Sequence, residues 1–291
     1  MAKTTKSIDA TPRVSPWLLG WFRWYLRGYL PRGLHSLCVA TDSPLEVADE
    51  TPLIVFLNHA SWWDPVVSIH LSAVESPGRT IYAPFDEAAL ERYPIFERLG
   101  FFGVDQTSRR GAAQFLRTTR AVLGVHGASV WMTPEGRFVD PRDDTAPFEP
   151  GLAHLAHHLA TSHDQALRQT VLRPLAIEYP LWEERLPECL CRWGKEIRVA
   201  DHAGLSKAEW NTLLEEQLRS TQRRLAEISL ARDPAAFRVL LGGSEGVGGL
   251  YERFRRTLAW LRGQPYRAAH GEKLRKPQVP ADPEEERSLG A

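Results

Sequence analysis

Between positions 52 and 200 the hydrophobic residues fall into two kinds of run. "PLIVFL" (52–57), "RTIYA" (79–83), "ASVWM" (128–132), "VLRPLAIEY" (171–179) and "EIRVA" (196–200) are short, apolar and rich in β-branched or aromatic side chains, as buried strands are. "RRGAAQFLRTTRAVLG" (109–124) and "GLAHLAHHLATS" (151–162) space their apolar residues by three and four instead, the pattern of a helix with one buried face. Strands alternating with helices predict a layered α/β domain, placed here at residues 35–231. Its last element is a long amphipathic helix, "LSKAEWNTLLEEQLRSTQRRLAEISL" (205–230).

The pattern changes at both ends. "WLLGWFRWYLRGYL" (17–30) crowds Trp17, Trp21, Trp24, Tyr25 and Tyr29 around Arg23 and Arg27. At about 100° per residue, the two arginines and Gly20 share one narrow stripe, and aromatic and aliphatic side chains cover the rest. Trp and Tyr suit the headgroup level of a bilayer and Arg reaches anionic lipid, so residues 1–34 read as a basic, aromatic membrane-contact segment. Docking of this helix on the protein's own core is the alternative. "GGSEGVGG" (242–249) lacks the Gly-Lys-Ser/Thr ending and preceding strand of a phosphate loop and reads as a hinge. It leads into "LYERFRRTLAWLRG" (250–263), where Leu250, Phe254, Leu258 and Leu261 share a face edged by arginines. Residues 232–276 are accordingly a helical extension with a candidate second membrane contact, an amphipathic interfacial helix at this end as at the other. Residues 277–291, Pro- and Glu-rich, read as a disordered tail.

Composition narrows the function classes. At 291 residues, 43% hydrophobic and 25% charged, the chain is long enough for one large core or two modest ones. A formal net charge of zero supplies no global basic field for nucleic acid, but up to Leu34 there are six Lys or Arg against one Asp. No run of about 18 uninterrupted apolar residues predicts a membrane-spanning helix, and no secretory signal is expected at the N-terminus. Cys38, Cys189 and Cys191 are odd in number and lack zinc spacing, which fits a reducing, cytoplasmic compartment. His154, His157 and His158 have the i, i+3, i+4 spacing that metal ligands on a helix use. They lack a ligand-rich partner stretch, so an exposed polar face is expected and no metal.

The candidate chemistry lies where the first strand runs out, in "NHASWWDP" (58–65). On one helix, five residues would turn His59 and Asp64 about 140° apart. Pro65 suits a first helical turn, so His59 belongs to the turn and Asp64 to the helix start. The chain can then fold back and let the carboxylate accept the ring N–H, leaving the other nitrogen as a general base. Asp64 as a plain helix cap, with His59 on a backbone carbonyl, is the competing reading. Trp62 and Trp63 either wall a channel or anchor the helix. Further on, "FFGVDQTSRRG" (101–111) is a strand-like piece ending in Arg109 and Arg110. "TPEGRF" (133–138) is a turn from which Glu135, Gly136 and Arg137 emerge together.

A His and an Asp separated by four residues, a later strand ending in arginine and a Pro-Glu-Gly turn with arginine, in that order, resemble the glycerolipid acyltransferase family. The resemblance covers roughly residues 52–180, including "FEPGLAHLA" and "VLRPLAIEYP". It implies that family's fold, a layered mixed sheet flanked by helices. It also implies His59 as the base that deprotonates an acceptor hydroxyl and Asp64 as its orienting carboxylate. Asn58, Glu135, Gly136 and Arg137 fall on the substrate side, and Arg109 matches an arginine for the acceptor phosphate. Two departures bear on the acceptor: Asp105-Gln106 stands where many members have Asp-Arg, and Arg137 follows Gly136 directly. The expected enzyme is a peripheral acyltransferase on the cytoplasmic face of a membrane. It would use acyl-CoA or acyl carrier protein as co-substrate, without a cofactor, and a lysophospholipid such as 1-acylglycerol-3-phosphate as acceptor. A glycosylated or terpenoid lipid alcohol, or a non-catalytic lipid-binding module, are the alternatives.

Overall fold

In the computed structural model, which describes residues 11–182 and 184–242, the chain opens with α1 (Pro16–Tyr29), β1 (Ser36–Ala40), β2 (Leu53–Leu57) and α2 (Asp64–Glu75). β3 (Thr80–Asp86), α3 (Glu87–Arg92), β4 (Phe101–Val104), α4 (Arg109–Leu123) and β5 (Ala128–Met132) follow. Then come α5 (Gly151–Ala160), α6 (Gln165–Arg168), β6 (Val171–Glu178), β7 (Glu188–Trp193), β8 (Ile197–Arg198), α7 (Lys207–Ala231) and β9 (Phe237–Gly242). The strands lie in the order β4-β3-β5-β2-β6-β7-β1-β9, with β8 beside β6. β2 runs parallel to both β5 and β6, whereas β6–β7 and β1–β9 are antiparallel, so the sheet is mixed and flanked by helices as expected.

Strand periodicity sorts the core into two layers. In β2, Ile54 and Phe56 point to the side covered by α4, α5 and α7, while Leu53, Val55 and Leu57 point to the side covered by α1 and α2. The strands that the hydrophobic pattern left unmarked, β1 and β7, bury polar residues: the Ser36 hydroxyl donates to Glu188 across the pair, so neither strand reads as an apolar run. β9 completes the edge beside β1, which corrects the domain end from 231 to at least Gly242. Residues 232–242 are therefore a short 3-10 turn and a strand, not helix. The helix expected over 250–263, the expected tail and residues 1–10 lie outside the described residues.

Capped by Ser15 and started by Pro16, α1 docks on the core through Leu19 and Leu26. The arginine stripe does not stay together. Arg23 turns inward and donates to Ser72 Oγ at 3.4 Å and to the Arg79 carbonyl at 3.3 Å, because a guanidinium fork can meet carbonyl and hydroxyl oxygens at a helix–helix seam. Arg27 stays exposed. The outward face is aromatic: Trp17 is 78% exposed and Trp24 67%, with Trp21 and Tyr25 beside them.

Beneath α1, His70 of α2 is buried, and its Nε2 has no hydrogen-bond partner. Burial, and secondarily the charge of Arg27, push its pKa down to about 4. The unfolded chain takes up this proton near pH 6.5 and the folded protein only near pH 4, so stability is lost as pH falls through that window and levels off below it. The loss is on the order of 3 kcal/mol at about 1.4 kcal/mol per unit. A His70→Gln variant should flatten the fall in thermal unfolding temperature between pH 6.5 and 4 relative to the parent protein. An unchanged slope would remove His70 as its source.

Candidate active site

The C-terminal ends of the three neighbouring parallel strands β5, β2 and β6 open on the same edge of the sheet, where α/β sheets hold their ligands. β2 delivers the 58–63 turn there, β5 the turn beginning at Thr133, and β6 ends at Glu178, with Tyr179 next.

His59 and Asp64 meet. Asp64 is the first residue of α2, and its Oδ2 lies 2.8 Å from His59 Nδ1 while accepting the Ser61 backbone N–H at 3.0 Å. A buried carboxylate can only accept, so Nδ1 carries the proton and Nε2 presents a lone pair. The His59 side chain is 19% exposed, and among the described residues its Nε2 has no partner. The phenol of Tyr179 donates to Asp64 Oδ1 at 2.7 Å. Burial foremost, with the charge of Asp64 beside it, pushes the Tyr179 pKa well above its usual value and keeps it a neutral donor. Such an arrangement can take a proton from a hydroxyl or thiol at Nε2 and hold the resulting imidazolium beside a carboxylate.

The Pro-Glu-Gly turn supports His59 from behind. Gly136 sits at φ 63°, a left-handed conformation that suits glycine, and its N–H donates to the Thr133 carbonyl. The turn aims Glu135 inward: Oε2 accepts the His59 backbone N–H at 2.7 Å and Oε1 accepts from Arg219 of α7 at 2.8 Å. The Val139 N–H donates to the His59 carbonyl, and the Phe138 ring lies 4.2 Å from the imidazole.

Two assignments are corrected. Asn58 is buried, and its amide both donates to the Ile177 carbonyl and accepts the Ile177 N–H, so it staples β2 to β6 rather than facing a substrate. Glu135 is likewise buried with both oxygens engaged, a brace and not an acceptor contact. Arg137 is exposed on the turn. Arg109 does not end a strand: β4 stops at Val104 and Asp105 accepts from Thr107 and Ser108, forming the turn after which Arg109 opens α4, exposed. No hydrogen bond or ion pair joins Arg109 to His59, and β5 and β3 separate their strands. Trp63 packs, its ring 5.6 Å from Tyr29 and against the backbone of Gly33, where a Cβ would lie 2.3 Å from the indole. Trp62 stacks on Trp63 and stays exposed.

Sequence reasoning missed Tyr179 and Arg219. Tyr179 follows a strand whose end lies beside that of β2, a placement known only once the sheet order is. Arg219 had a fainter signal: Gln222, its hydrogen-bond partner, interrupts the apolar stripe of Leu214, Leu218 and Leu225 in α7. Of the three spaced histidines, His157 lies 3.1 Å from the Leu205 carbonyl and His158 accepts from Arg120.

The family model described as Acyltransferase matches residues 38–178, which contain all of the 58–64 and 133–139 constellation. No curated protein matches the chain.

Proposed function

Residues 38–178 make this chain a member of the glycerolipid acyltransferase family, with acyl transfer as its chemistry, and from that premise we propose the reaction it carries out. A fatty acyl group moves from a coenzyme A or acyl-carrier-protein thioester to the hydroxyl of a membrane lipid, with a lysophospholipid such as 1-acylglycerol-3-phosphate as acceptor. The observation that carries the reading is the Nε2 of His59, unpartnered among the described residues, opposite an Asp64-bound Nδ1. Nε2 takes the hydroxyl proton as that oxygen attacks the thioester carbonyl. The tetrahedral intermediate then expels the thiolate, which leaves as the thiol by taking the proton back from the imidazolium. The thioester brings its own leaving group, so this route calls for no metal or organic cofactor.

A neutral lipid alcohol, glycosylated or terpenoid, is the second reading. It is favoured because Gln106 carries no charge and the exposed Phe138 and Trp62 offer apolar ring faces. Purified protein incubated with acyl-CoA and acyl-carrier-protein donors against a panel of lysophosphatidate and neutral lipid alcohols, read by mass spectrometry, decides between them. Faster transfer to the neutral lipids would promote the second reading, and no transfer to any lipid would sink both.

We assign the place of work to the cytoplasmic face of a membrane, held peripherally. Trp17, Trp21, Trp24 and Tyr25 supply interfacial aromatics, and Arg27 a cation beside them. Replacing Trp17, Trp21 and Trp24 with alanine should weaken sedimentation with vesicles containing anionic phosphatidylserine by about 10-fold or more. High salt should weaken the parent only in part, since aromatic insertion is not screened. Undiminished binding of the triple variant would remove α1 as the contact.

A further inference from the structure

We propose that Arg219, in a helix outside the family-matched segment, is a positioning residue for the reaction, acting on His59 through Glu135. The proposal rests on His59 being the base. Arg219 and Glu135 side chains are 6% and 0% exposed, and their 2.8 Å bond is continued by the 2.7 Å bond from the His59 backbone N–H to the other Glu135 oxygen. Asp64 fixes the imidazole by its side chain, and Arg219 fixes the main chain that carries it. The two carboxylates work alike, each with one oxygen on His59 and the other on an outer donor, Tyr179 or Arg219.

The guanidinium does more than neutralise Glu135. Nη1 also donates to Gln222 Oε1 at 2.8 Å, Nη2 donates to the Ala146 carbonyl at 2.6 Å, and its centre lies 5.5 Å from the Phe148 ring. Two neighbours on the same helix extend the grip: Gln222 donates to the Pro141 carbonyl and Glu215 accepts the Phe148 N–H. Residues 133–150, which carry the Pro-Glu-Gly turn and Phe138, contain no helix or strand, and to their few internal turn bonds α7 adds side-chain bonds at three points of the segment, Glu135, the 141–146 carbonyls and Phe148. A rigid planar fork can reach several acceptors at once, which a lysine ammonium on a flexible stem cannot hold in the same geometry.

The test uses Arg219→Gln and Arg219→Lys in the full chain. The first readout is release of free coenzyme A from palmitoyl-CoA with oleoyl-lysophosphatidate as acceptor. The second is amide hydrogen exchange at His59 and at Val55 within β2. Displacement of a catalytic group by about an ångström costs about 100-fold, so Arg219→Gln should lower kcat by about 10- to 100-fold with KM within about three-fold. His59 exchange should speed up about 10-fold or more while Val55 is unchanged. Arg219→Lys keeps the charge and secures folding if the glutamine variant does not fold; it should recover only part of the rate. A folded variant with parental kcat and parental His59 exchange would overturn the proposal, as would a lysine variant restored fully in both. If the parent releases no coenzyme A from this pair or from any donor and acceptor of the panel, the proposed function fails, and the exchange arm still decides whether Arg219 holds His59.

Discussion

Replacing His59 by alanine should lower kcat for acyl transfer by about 10²–10⁴-fold or more and leave the fold in place. The rate argument is that Nε2 is the acceptor of the hydroxyl proton, and no other titratable side chain is within hydrogen-bond reach of it among the described residues. Without that nitrogen, the attacking alcohol must lose its proton to water. The stability argument is separate. Truncation at Cβ removes a partly exposed ring and its contact with Phe138 but spares the backbone bonds to Glu135 and Val139. Asp64 keeps the Ser61 N–H and the Tyr179 hydroxyl, so its buried charge is not orphaned. Thermal unfolding should therefore shift by only a few degrees, the scale of about 1 kcal/mol. Steady-state kinetics with the best donor and acceptor from the panel, alongside a thermal melt, checks both halves. A folded variant within a few-fold of parental kcat would end the assignment of His59 as base.

What the sequence made legible was local. The pairing of His59 with Asp64 followed from a strand end, a proline at a first helical turn and five residues of spacing, all carried by one short stretch. The runs over β2, β5 and β6 announced themselves because those strands are buried on both faces. What stayed hidden was non-local or polar. β1, β7 and β9 are bound into the sheet from distant parts of the chain, and Ser36 and Glu188 break the apolar pattern in the first two. Asn58 and Glu135 fall on the substrate side only by the family resemblance, which assigns a place along the chain and not a partner. Only the coordinates reveal that their partners are Ile177, 119 residues away, and Arg219, 84 residues away. The helix α1 was read correctly as amphipathic and wrongly in azimuth. A wheel ranks residues by polarity, whereas the docked helix turns half-buried Arg23 toward carbonyl and hydroxyl oxygens and its tryptophans out.

Asp64→Asn is expected to reduce kcat by about 10- to 150-fold, less than the loss of His59, with KM little changed. The reason lies in which atoms surround the carboxylate. At Oδ2 both neighbours, Ser61 N–H and His59 Nδ1–H, are donors, so an amide placed there must present its oxygen and turn its NH₂ toward Tyr179. A phenol can rotate to accept that NH₂, whereas the Ser61 backbone N–H cannot. The tautomer with the proton on Nδ1 is thereby kept, and what disappears is the charge that stabilises the imidazolium formed during attack. A hydrogen bond to a charged group is worth about 1.5–3 kcal/mol, which corresponds to the stated range in rate. Loss nearer 10⁴-fold would indicate that the amide had flipped and forced the wrong tautomer on His59, the larger effect known for orienting carboxylates. Tyr179→Phe provides the calibration: it removes one neutral donor from Asp64 and leaves the charge, so its kcat should fall by no more than about 10-fold. If Asp64→Asn proves folded and loses no more activity than Tyr179→Phe, the carboxylate charge does not act on His59, and Asp64 is reduced to a cap for α2.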